Sequence, residues 1–154
     1  MNNLPPIVGT ANIILAGDFV APAAPPHTYL GSARALLNGV RVLAKAQDSP
    51  VALAMLAAQV AECSLKAYLS RGGNDKRLRD QALRHNLQDL WSLAHAEGLP
   101  IPQQAPDWLL TLHHLHGTPY YLRYSTGVHG LVLPAAEPMT TALGELVESV
   151  ASHM

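Results

Sequence analysis

The chain has 154 residues, 49% apolar and only 14% charged, with a formal net charge of -1. That length fits one domain, and the charge content falls well below the rough quarter of a typical globular chain, so small and weakly polar residues must cover much of the surface. A single cysteine, Cys63, excludes a disulfide framework and a cysteine-built zinc site. No run of about 18 uninterrupted apolar residues occurs, and no lysine or arginine precedes Arg34 to make the cationic start of a signal sequence. A cytoplasmic location and no membrane contact are therefore expected.

Charge is unevenly placed. Residues 1–85 hold nine of the ten cations against five acids, whereas residues 86–154 hold only Arg123 against six. Six cations fall between Lys66 and Arg84, a local concentration suited to phosphate in a chain that is not basic as a whole.

Residues 1–30 contain Pro5, Pro6, Pro22, Pro25 and Pro26 and read as an extended arm, since proline fixes φ and removes a donor. Residues 11–15 or 18–21 are candidates for short strands within it. From residue 31 to 154 the pattern is helical. Ser32 can cap a first helix to about Gln47, with Leu36, Leu37, Val40 and Leu43 on one face. Ser49 and Pro50 start a second helix, apolar nearly all round, which Gly72 and Gly73 end after Ser70. A basic connector follows from Asn74 to Arg84. Asn86 caps a third helix with Asp89 in its first turn, and Gly98 and Pro100 stop it. Pro106 and Asp107 open a fourth helix ended by Gly117, and a fifth is predicted from Met139 to Ala151. Short connections between four or five helices imply an all-α, up-and-down bundle.

The second helix contains Glu62-Cys63-Ser64-Leu65-Lys66-Ala67-Tyr68-Leu69, and the third opens His85-Asn86-Leu87-Gln88-Asp89-Leu90. In this order, with Arg123 and Tyr124 downstream, they resemble the HEPN superfamily, in which an "E-x-x-L-K-x-x-L" helix precedes an "H-D-L-x-x-L" helix and an arginine-tyrosine pair. The resemblance covers about residues 32–150. Asn86 stands where that pattern has aspartate; the cap survives and the charge is lost.

The low charge content and the surplus of apolar helix faces leave surface for a homodimer to cover, and the resemblance implies a helical, nucleotide- or nucleic-acid-associated binding or regulatory module, for instance beside a nucleotidyltransferase. In that reading Lys76, Arg77, Arg79, Arg84 and His85 contact phosphate, and no cofactor is required. The rival implication is a metal-independent ribonuclease of toxin or defence type. There an arginine and a histidine four to six residues on would meet at a dimer cleft, the histidine moving the proton of a ribose hydroxyl and the arginine offsetting charge on phosphorus. Arg123 with His129 is the preferred catalytic pair, and Arg79 with His85 also fits the spacing. A scaffold without a small ligand is the third reading.

Glu62, Lys66 and Asn86 are expected to be structural polar residues. A carboxylate inside an apolar bundle needs a partner, so Glu62 is expected to pair with Lys66 or Arg123. His113, His114 and His116 read as a surface cluster, since no acidic companion at a recognised metal spacing accompanies them, and no metal site is expected.

Overall fold

The computed structural model describes residues 24–124 and 130–154. They form an all-helical bundle: α1 (His27–Ala46), α2 (Pro50–Leu69), α3 (Leu87–Ala96), α4 (Asp107–His116) and α5 (Ala136–Ser152), with one 3-10 turn, Lys76–Arg79, between α2 and α3. There is no strand among the described residues.

The central element is α2, which packs against α1, α3, α4 and α5. Its composition explains the position. Ala54, Ala57, Ala58 and Ala61 are buried on it and let neighbouring backbones approach, while Leu53, Val60, Leu65 and Leu69 fill the space between them. At the α1–α2 contact, a Cβ added to Gly39 would stand 3.1 Å from Leu56 Cδ1, so only glycine gives this approach without displacing leucine. Trp91 of α3 and Trp108 of α4 meet edge to face at 6.4 Å, and the Trp91 indole donates to the Pro102 carbonyl at 2.8 Å. By length and composition α2 is the one helix among the described residues that could cross a membrane, but 67% of its most apolar window is buried inside the protein.

The boundaries differ from expectation where local chemistry was misread. Helix α1 begins at His27, with Pro26 at its N-cap, so residues 27–30 of the expected arm are helical. Pro25 and Pro26 directly precede the helix, and Ser32, inside it, donates its hydroxyl to the Thr28 carbonyl at 3.0 Å. Ser49 makes no side-chain capping bond; Pro50 at the first helical position does without one. Helix α5 starts at Ala136, three residues early, because Pro138 falls in the first turn, where an N–H has no helical partner to lose. Asn86 caps α3 as expected, and Gly73 and Gly98 adopt φ of +88° and +99° at chain reversals. The proposed short strands, residues 11–15 and 18–21, lie outside the described residues.

Candidate functional site

Three buried or half-buried groups converge on one carboxylate. Glu62 faces inward from the second half of α2, and Lys66, one turn on, donates from Nζ to Glu62 Oε1 at 2.6 Å. His116, the last residue of α4, places Nε2 2.6 Å from Oε2. His85 places Nδ1 3.1 Å from the same oxygen. Its position follows from the α3 cap. Asn86 Oδ1 accepts the Asp89 N–H at 3.0 Å while its amide donates to the Asp89 carboxylate at 2.7 Å, which fixes the backbone beside His85.

Burial of Glu62 alone would raise its pKa, but the hydrogen bonds from His116, Lys66 and His85 and the Lys66 charge outweigh that and hold it at about 2. An ionised carboxylate only accepts, so the two ring nitrogens facing it both bear hydrogen. His85 then has Nε2 left over, and this atom makes no hydrogen bond among the described residues. Next to Glu62, burial and the carboxylate charge push Cys63 up to about 11, which keeps it a thiol and a poor nucleophile.

His85 lines a polar hollow of about 320 Å³ whose other walls include Arg84, His113, His114 and Tyr120. Tyr120 sits at φ +64°, an uncommon conformation for a non-glycine residue, with its ring edge to face against His85 at 6.4 Å. The Arg123 guanidinium lies 5.5 Å from the centre of the Tyr120 ring. His113 Nδ1 is buried without a hydrogen-bond partner among the described residues, and burial, followed by the neighbouring His114, lowers its pKa.

A second, larger hollow of about 960 Å³ is lined by Arg71, Lys76, Arg77, Arg79 and Glu97, among others. Here the cations are mostly engaged. Glu97 receives Arg77 at 2.5 Å and Arg71 at 3.1 Å, and these bonds, that of Arg77 foremost, hold its carboxyl below the usual range against a smaller opposing effect of desolvation. Arg79 pairs with Asp75 at 3.0 Å, and Asp75 also accepts the Tyr29 hydroxyl at 2.9 Å.

The expected phosphate residues are thus divided: Lys76, Arg77 and Arg79 line the large hollow, and Arg84 and His85 the small one. Arg79 and His85 do not share a hollow, because the 3-10 turn directs Arg79 back to Asp75. His129 lies outside the described residues, so of the Arg123–His129 pair only Arg123 is placed. Of the two partners expected for Glu62, Lys66 is found; Arg123 rests on Tyr120 instead. The expectation of a surface histidine cluster is corrected for His116, whose side chain is 4% exposed. Sequence reasoning missed its role, although the signal was present: with Leu109, Leu112 and Leu115 it completes the buried face of α4, so that spacing alone aims His116 at the core.

No family model, curated protein or solved structure matches this chain.

Proposed function

We propose that the chain is a HEPN-like module that binds the phosphate of a nucleotide or nucleic acid in the small polar hollow, acting as a homodimer or beside a nucleotidyltransferase in the cytoplasm. The observation that supports this reading is the pairing, on one wall, of an uncommitted cation with a held imidazole. Arg84 is exposed and its guanidinium makes no ion pair or hydrogen bond among the described residues, while His85 is anchored through Nδ1 and keeps Nε2 for a ligand. Arginine supplies the forked donor that phosphate favours. Exposed Val42, Val51 and Met55 on α1 and α2 leave apolar surface for a second subunit. Titration with ATP and with a short single-stranded RNA tests the reading: Arg84→Ala should weaken binding at least about tenfold, the loss of one charge-assisted bond of roughly 1.5–3 kcal/mol, while Arg79→Ala should leave it unchanged. Equal binding by wild type and Arg84→Ala would reject this hollow as the site.

One observation favours the ribonuclease as a second reading. A carboxylate that holds one ring nitrogen of a histidine and leaves the other without a protein partner is the arrangement a proton-transferring residue needs. His85 would take the proton of a ribose 2'-hydroxyl, and Arg84 or Arg123 would offset charge on phosphorus. Incubation with RNA in EDTA, followed by analysis of the product ends, separates the readings. Cyclic phosphate ends that disappear in His85→Ala support the nuclease, and intact RNA supports the binding module.

A further inference from the structure

We propose that Glu62, His85 and His116 form a binding site for a divalent first-row transition cation of the zinc type. The three come from different parts of the fold, the middle of the central helix, the connector ahead of α3 and the last residue of α4. Their ligand atoms nevertheless lie within 4.8 Å of one another. Two imidazoles and one carboxylate make a donor set that zinc accepts with three protein ligands, leaving one position open.

The surroundings fit that chemistry. Lys66 holds Oε1, so Oε2 is left to face both rings, and a cation there would be bound by one carboxylate oxygen. The rings pack edge to face with centres 5.6 Å apart, which limits their rotation. Four-coordinate ligand atoms about 2.1 Å from a metal stand roughly 3.4 Å from one another, so Oε2 must draw away from ring nitrogens now at 2.6 and 3.1 Å. His85, half-buried in a connector outside the helices, is the ligand whose side chain would shift by that amount. A ring nitrogen binds a cation only through its lone pair, so the metal would replace the hydrogen that each ring presents to the carboxylate. Of the three ligands only His85 lines the small polar hollow, so a cation would enter past its ring from that hollow. The hollow also holds His113, whose unpartnered Nδ1 places a third imidazole on the wall without a structural duty for that atom.

The site does not depend on the phosphate reading and is tested apart from it. Tag-free, EDTA-treated chain is titrated with zinc chloride by calorimetry and with cobalt chloride by visible absorption. One zinc per chain and the intense bands of four-coordinate cobalt are expected. Binding should weaken at least about 100-fold in His116→Gln and in His85→Ala, beyond the loss seen when only an outer partner of a metal ligand is removed, and should persist in His114→Ala. His85→Ala alters a half-exposed connector residue, so it remains informative if the buried His116 variant fails to fold. No binding at micromolar zinc would overturn the proposal. So would binding that survives in His85→Ala, or that is lost in His114→Ala, since the cation would then sit on surface histidines.

Discussion

Two carboxylates in this molecule each collect several nitrogen donors, and they differ in what surrounds them. Glu62 lies at the centre of the bundle with its side chain 6% exposed and three donors on its two oxygens. Glu97, just after α3, is 25% exposed and bridges two arginines at the rim of the larger hollow. In water an ion pair gains little, because solvent already stabilises both charges. In the interior neither charge can exist without the other, so the pair becomes a condition of folding rather than an addition to it. The comparison also separates the two sets of cations. Arg71 and Arg77 are occupied by Glu97, whereas Arg84 stands uncommitted beside a histidine that Glu62 holds in place.

The largest expected effect comes from breaking the buried member. Glu62→Ala leaves the Lys66 ammonium without a counter-charge and two imidazoles without an acceptor, so a loss of about 3–5 kcal/mol is expected, read as a fall in the urea midpoint. A loss below about 1 kcal/mol would place Glu62 among ordinary surface ion pairs.

The second effect is a dependence on acid. Glu62 is held at about 2 in the folded chain against an ordinary value of 4.5. Its folded value is the lower, so the stabilisation is complete above the unfolded pKa and disappears as pH falls from about 5 towards about 2. A contribution on the order of 3 kcal/mol is expected from the difference, and urea unfolding across that range should show it in wild type. In a Glu62→Gln background that still folds, this part of the slope should be absent.

The smallest effect sharpens the contrast. Glu97→Gln should change stability by no more than about 1 kcal/mol and be sensitive to salt, as expected for a partly hydrated pair. A cost equal to that of Glu62→Ala would dissolve the distinction between the two regions.

Much of the bundle was legible because its signals are local. The Asn86 cap, the glycines at 73 and 98 and the Pro50 start each act within one turn of chain, and the apolar circumference of α2 leaves it no place but the centre. The need of Glu62 for a buried partner was also legible, and spacing supplied Lys66. Less legible was what comes together from afar. His116 lies 54 positions from Glu62, and three histidines within four residues read as a solvated face until the leucine spacing of α4 is taken into account. Similarly, the cations from Lys76 to Arg84 look continuous along the chain, but the 3-10 turn at Lys76–Arg79 divides them between two hollows. The start of α1 was hidden by Gly31, which reads as a boundary but lies within the helix.

The most direct test is a titration of the Glu62 side-chain carboxyl, followed by its carbon-13 shift in metal-free protein as the pH is lowered. An ionised carboxylate persisting until about pH 2, or until the chain unfolds, is the result expected of an interior acceptor held by His85, Lys66 and His116. A midpoint at or above 4.5 in the folded chain would show that the carboxyl is not stabilised as an anion, and the anchoring of His85 would lose its basis.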